Sequence, residues 1–330
     1  MTRIRLLVIS LGLVVLAALV LAACGAGGNK KLALVAYSTP REAYEELIPA
    51  FQGTDAGKDV EFEQSYASSG ELSRAVEAGL PADVVEFSLE PDMTRLVDAG
   101  IVSPDWNANE HRGIVTVSVV VLVLRKGNPK SIKGWDDLLR NDVEVITPNP
   151  FTSGGARWNL LAAYGAQLNQ GKTQEQAVEF LRGLLANTPV QDKSARESLQ
   201  TFSAGKGDVL IAYENEAIFA QQAGEPIEYI VPDQTILIES PVAVTVDAPA
   251  QARAFVDFLY TPEAQKVFGE KGYRPVVPDV AAALHFPTPS GLFTIADLGG
   301  WSEVSKTFFD RDSGIVAGIE KELGAPTESS

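Results

Sequence analysis

Residues 114–124, Ile-Val-Thr-Val-Ser-Val-Val-Val-Leu-Val-Leu, carry no charge and are mostly β-branched. Such a run favours an extended strand, because branched side chains pack well on a pleated surface and lose rotamer freedom in a helix. It has no polar face to give to water, so the strand must be covered on both sides. It is too short to cross a bilayer, and Arg-Lys-Gly-Asn-Pro at 125–129 stops it. A chain with such a strand must supply neighbouring strands and a layer above and below it.

The rest of the sequence offers those parts. Strand-like runs stand at 31–36, 60–63, 83–88, 143–147, 188–191, 208–213, 227–231 and 241–246. Helix-like stretches separate most of them. Thr39-Pro40-Arg41-Glu42 has the form of a capping box with proline at the first helical position. Pro91 opens another helix, Trp135 starts a short one, and a late helix is expected near 314–323. The alternation predicts an α/β fold with parallel sheets and helices on both faces. There are more units than one small sheet needs, so two lobes with a ligand between them are expected. Residues 31–116 and 238–330 are assigned to lobe I and 117–237 to lobe II, with crossings near 117–123 and 237–242.

The formal charge of the 330-residue chain is −16, with no basic stripe, which argues against nucleic acid as a partner. Arg3 and Arg5 precede an apolar run from Leu6 to Leu21, and Leu-Ala-Ala-Cys follows at 21–24. A basic start, an apolar stretch and small residues make an export signal rather than a retained span. The end of this segment resembles the bacterial lipobox, which implies a signal peptide at 1–23, a lipid on Cys24 and a short tether at 24–30. Cys24 is the sole cysteine, so the body can hold no disulfide or thiolate site. With only His111 and His285, a histidine-rich metal site is excluded as well.

Four strand-to-helix turns share one character: Ser68-Ser69-Gly70, Ser153-Gly154-Gly155, Ser194-Ala195-Arg196 and Tyr213-Glu214-Asn215. In open α/β sheets ligands collect at the carboxyl ends of strands. Helix starts there present bare N–H groups and a partial positive charge. Hydroxyls of Ser69 and Ser153 add donors without adding charge. Serine or glycine at a helix start is also an ordinary cap. Ser153-Gly154-Gly155 goes further, because a cap does not require two successive glycines. Arg157 and Arg196 either support their turns or face water. Trp158 reads as core, and Tyr213 stands where a polar tip can reach a cleft.

Six stretches carry a resemblance: 124–130, 145–150, 153–159, 207–217, 260–264 and 273–275. They read Leu-Arg-Lys-Gly-Asn-Pro-Lys, Val-Ile-Thr-Pro-Asn-Pro, Ser-Gly-Gly-Ala-Arg-Trp-Asn, Gly-Asp-Val-Leu-Ile-Ala-Tyr-Glu-Asn-Glu-Ala, Tyr-Thr-Pro-Glu-Ala and Tyr-Arg-Pro. Over nearly all of its length past the leader, the chain resembles the sulfate/thiosulfate-binding proteins of bacterial ABC importers. The resemblance implies a two-lobed periplasmic-binding fold of type II. It implies an oxyanion held without water or a direct counter-charge, and an ABC permease with its ATPase as partners. The expected location is the periplasm or the outer face of the cell membrane, through the lipid on Cys24. A monomer is expected, with no cofactor, metal or catalytic residue.

Carried over by position, Ser69 supplies a donor from the first lobe. Ser153 supplies hydroxyl and amide, and Gly154, Gly155 and Ala195 supply amides. Tyr213 stands where that family usually has a tryptophan. Ser68, Gly70, Arg157 and Arg196 support the turns. The chain departs from the family at Ala67-Ser68-Ser69-Gly70, at Glu71 in place of a lysine, and at Ser38-Thr39 near a usual aspartate. Sulfate is the first ligand choice, with thiosulfate, molybdate and phosphate as alternatives. An exported esterase acting on sulfate or phosphate esters is the other functional class. It lacks a Gly-x-Ser-x-Gly motif and a histidine beside a serine cluster.

Overall fold

The computed structural model describes residues 30–327. The signal peptide and Cys24 lie outside the described residues. In chain order the elements are β1 (Lys30–Tyr37), α1 (Arg41–Gln52), β2 (Val60–Ala67), α2 (Ser69–Glu77), β3 (Val84–Glu86), α3 (Glu90–Asp98) and β4 (Ile114–Arg125). A 3-10 turn (Trp135–Leu139), β5 (Val145–Ile146), α4 (Gly154–Asn169), α5 (Gln174–Ala186), α6 (Ala195–Ser203), β6 (Val209–Tyr213), α7 (Glu214–Gln222) and β7 (Ile227–Ile230) follow. The chain continues through β8 (Gln234–Val244), α8 (Ala250–Leu259), α9 (Pro262–Glu270), β9 (Arg274–Pro275), α10 (Pro278–Ala283), β10 (Gly291–Phe293), a second 3-10 turn (Ile295–Leu298), α11 (Gly300–Phe309) and α12 (Ile315–Leu323).

The strands form one curled sheet in the order β2-β1-β3-β8-β4-β6-β5. Two long strands tie its halves together. Residues 114–119 of β4 pair with 237–241 of β8, while 120–124 of β4 pair with β6. At its other end β8 pairs with β3 through 242–244. The apolar run therefore serves both lobes. Its side chains alternate between two cores: Val120, Leu122 and Leu124 face one, Val119, Val121 and Val123 the other. On the β1–β3 side, Tyr44, Phe51, Phe255, Phe258 and Phe268 fill the core, with tilted or edge-on ring contacts.

The all-parallel expectation is corrected. β1 runs parallel to β2 and β3, and β5 to β6, but β4 is antiparallel to β6, β7, β8 and β9. Strands that cross between lobes must return against one another, so the sheet is mixed. The strand expected at 188–191 shrinks to a single bridge, Ile146–Val190. The strand expected to begin at Pro241 begins at Gln234. Proline breaks a strand reading, but here it sits at an irregularity in the β4–β8 ladder, where its missing N–H costs little.

The capping box at Thr39 does not form: α1 begins after Pro40 with no side-chain cap. Thr39 Oγ1 instead lies 3.0 Å from the Tyr273 hydroxyl.

The C-terminal segment also differs from its assignment to lobe I. Helix α11 was not read from sequence. Its Trp301 packs edge-on against Trp158 of α4 at 4.7 Å, and its Phe308 against Tyr164 at 4.8 Å. Glu320 of α12 accepts from Gln191 at 2.9 and 3.0 Å. Residues from 300 onward thus complete the core around α4 and α5. That is why α4 is buried nearly all round and has no polar stripe.

Candidate functional site

The strand ends meet at one small, partly open pocket of about 10 Å³. Tyr37, Ser38 and Thr39 reach it from the end of β1, Ser68 and Ser69 from β2, and Ser88 from β3. From the other lobe come Ser153, Gly154 and Gly155, then Ser194 and Ala195, then Tyr213 at the end of β6. None of these side chains bears a formal charge at neutral pH. Helices α2, α4, α6 and α7 all start beside it. Larger hollows lie elsewhere, such as one lined by Tyr164, Gln174 and Phe308.

The Ser153 turn is built by its own loop. Asn149 Oδ1 accepts from Phe151 N at 2.8 Å, and Asn149 O accepts from Ser153 N at 2.9 Å. Asn159, one turn into α4, donates to Thr147 Oγ1 and to Ile211 O. Thr152 Oγ1 donates to Lys193 O at 2.8 Å and so ties this turn to the next. Arg157 Nε donates to Pro150 O at 2.9 Å, and its guanidinium lies over Phe309, so it supports the turn.

The serines split into two kinds. Ser194 is an ordinary cap, its Oγ accepting from Glu197 N. Ser153 makes no cap bond, although it stands at the N-cap position. Ser68 makes none either; its hydroxyl donates to Glu71 at 3.2 Å. Among the described residues, the amides of Ser69, Gly154, Gly155 and Ala195 have no protein acceptor, as their first-turn positions require. Gly154 is needed for close approach: a β-carbon there would stand 2.6 Å from Ser88 Oγ and 2.8 Å from Leu89 Cδ2. At Gly70 it would stand 3.0 Å from Thr152 O.

Two expectations are corrected here. The Ser153 amide is not a spare donor, because it donates to Asn149 O at 2.9 Å and leaves only the hydroxyl. The Ser69 hydroxyl is not a spare donor. It donates to Asp92 Oδ2 at 2.6 Å and accepts from Ser88 N at 3.0 Å. Asp92 is buried on the far side of Ser69, and burial raises its pKa; Arg157 and the Ser69 bond work the other way. Ser69 is left with its amide, which has no protein acceptor among the described residues, beside the cavity.

Arg196 does not face water. It donates to Glu216 at 2.9 and 3.1 Å, to Glu42 at 2.8 Å and to Thr39 O at 3.3 Å, and it lies over Phe219. Its side chain is 16% exposed and that of Glu216 only 1%. Burial opposes the arginine charge, but Glu216 and Glu42 outweigh it and hold the guanidinium above its ordinary value. The ion pairs join α6 and α7 to α1, across the two lobes. Because this cation is already neutralised, it offers no free charge to a ligand.

Tyr213 is buried, and burial pushes its hydroxyl well above the usual tyrosine range, so it stays protonated. Its partner is Ser88 Oγ at 2.7 Å. Ser88 and Tyr37 were missed in the sequence; Ser38, Thr39 and Ser194, named there only as a departure and as part of a turn, line the cavity too. A signal existed for Ser88: it closes a strand just before a helix, as the four recognised turns do. Among the described residues, no group of three or more histidine, cysteine or carboxylate side chains could hold a metal ion.

The sequence model of the bacterial extracellular solute-binding proteins matches residues 32–274. The sulfate-binding protein of Synechococcus elongatus is 45% identical over 299 residues, covering 86% of this chain and 85% of that one. The thiosulfate-binding protein of Pseudomonas aeruginosa is 35% identical over 309 residues, covering 88% and 91%. Among solved structures, the sulfate-binding protein SubI from Mycobacterium tuberculosis superposes with a TM-score of 0.83 at 46% identity, covering 85% of this chain and 100% of that one.

Proposed function

The chain belongs to the bacterial extracellular solute-binding proteins, in their sulfate- and thiosulfate-binding branch, and we propose that its cavity captures sulfate. Membership brings a solute-binding role in ABC import, outside the cytoplasm. One observation carries the choice of an oxyanion. Uncommitted amides of Ser69, Gly154, Gly155 and Ala195 converge on a cavity whose lining bears no charge.

Burying an anion is costly unless nearly every oxygen finds a donor. Amides at helix starts meet that need and carry a partial positive charge. Ser153 adds its hydroxyl. Sulfate at neutral pH presents only acceptors, which suits a lining rich in donors. Hydrogen phosphate must also place a proton, which such a lining accommodates poorly. Local amides, not overall charge, let a chain of net charge −16 hold an anion.

Lipid on Cys24 holds the protein at the outer face of the membrane, where the closed lobes are recognised by the permease and its ATPase. Isothermal titration with sulfate, thiosulfate, molybdate and phosphate tests the ligand. Sulfate is expected to bind tightest, and an absence of heat with sulfate would sink the assignment. Mass spectrometry of the mature N-terminus tests the anchor; an unmodified Cys24 would remove it.

A further inference from the structure

Ser88 is held at every polar atom. Its N–H donates to Ser69 Oγ at 3.0 Å, its carbonyl accepts from Trp158 Nε1 at 2.7 Å, and its Oγ lies 2.7 Å from the Tyr213 hydroxyl. Only 2% of the residue is exposed, and the hydroxyl borders the cavity. Trp158 and Tyr213 belong to the opposite lobe, so both of these contacts span the cleft.

Two hydroxyls in contact own two protons, and their mutual bond uses one. Among the described residues neither hydroxyl has another protein partner. The second proton is therefore free for a ligand in the cavity that both residues line. Either order satisfies the geometry: Tyr213 donates to Ser88, and Ser88 donates outward, or the reverse.

Resting on the sulfate reading above, we propose that Ser88 is a ligand-contacting residue that shares with Tyr213 the delivery of one hydrogen bond to the anion. The pair behaves as a single donor that either member can supply alone. A lone indole N–H in the same place would have no such substitute.

The test is a double-mutant cycle read by sulfate titration of the intact chain. S88A leaves the Tyr213 proton for the anion, and Y213F leaves the Ser88 proton. Each single variant is expected to weaken binding by about fivefold or less, near the net worth of one neutral hydrogen bond. S88A/Y213F removes both protons and is expected to lose a further 10- to 150-fold or so, the worth of a hydrogen bond to a charged group. That excess over the product of the single effects is the signature of a shared donor.

Additive losses, or a collapse of binding in either single variant, would overturn the proposal while leaving the sulfate reading intact. A wild-type chain that binds no sulfate would overturn both. Neutron diffraction of the wild-type protein with sulfate needs no variant. One deuteron should lie between Ser88 Oγ and Tyr213 Oη and one should face a sulfate oxygen; two deuterons turned away from the anion would end the idea.

Discussion

Replacing Gly155 by alanine should move stability and affinity in opposite directions. Gly155 is the second residue of α4 and has no left-handed backbone angle, so alanine meets no conformational strain. Alanine is favoured over glycine in a helix by about 1 kcal/mol, less near an end, so the unliganded protein should melt no lower than wild type. The new methyl, however, points toward the cavity. It would stand 3.3 Å from Ser153 Oγ, 3.5 Å from Ala195 Cβ and 3.7 Å from Tyr213 Cε1. All three neighbours line the space in which the anion is proposed to sit.

An anion displaced from that corner loses at least one hydrogen bond to a charged group, about 1.5–3 kcal/mol. That corresponds to roughly 10- to 150-fold weaker binding. Isothermal titration gives the affinity and calorimetric melting without ligand gives the stability. Wild-type sulfate affinity in Gly155→Ala would refute the placement of the ligand. A lower affinity with a lowered melting temperature would refute the claim that the methyl acts on the cavity rather than on the fold.

Further expectations concern the buried charges. Arg196→Ala strands Glu216, which is 1% exposed and loses its cation, so a stability loss of about 3–5 kcal/mol is expected in denaturant melts; a loss below 1 kcal/mol or so would show that the network contributes little to the fold. Glu86 is buried beneath Tyr44, whose hydroxyl donates to it, and burial raises its carboxyl to about 8. The unfolded chain gives up this proton near the ordinary value of 4.5, so the native state binds more protons between those limits. Its contribution is therefore complete below about pH 4.5 and declines as pH rises through 8, by at most about 1.4 kcal/mol per pH unit. Urea melts of wild type and Glu86→Gln from pH 5 to 8 should diverge in slope; parallel curves would show that Glu86 does not titrate in this window.

Much of the molecule could be read from the chain itself, because local patterns encode local structure. An uncharged β-branched run at 114–124 can only be a buried strand, and it became β4, the strand that serves both lobes. Serine and two glycines after a strand mark a helix start with bare amides, and Ser153-Gly154-Gly155 lines the cavity. What the chain could not declare were the partners of those groups, which lie far away in sequence.

Ser69 and Ser153 look alike as letters, yet Asp92, 23 residues from Ser69, engages one hydroxyl while the other remains uncommitted. Arg196 looks like a surface residue until Glu42, 154 positions earlier, is folded against it. Ser88 gains its place only when Tyr213 arrives from the other lobe. The last helices have an apolar face that local pattern alone cannot assign, and only packing shows that it covers α4 and α5. Backbone conformation is set within a few residues, so sequence determined the turns. Hydrogen-bond commitment and charge pairing are set across the whole chain, so only the tertiary structure decided which donors remain for an anion.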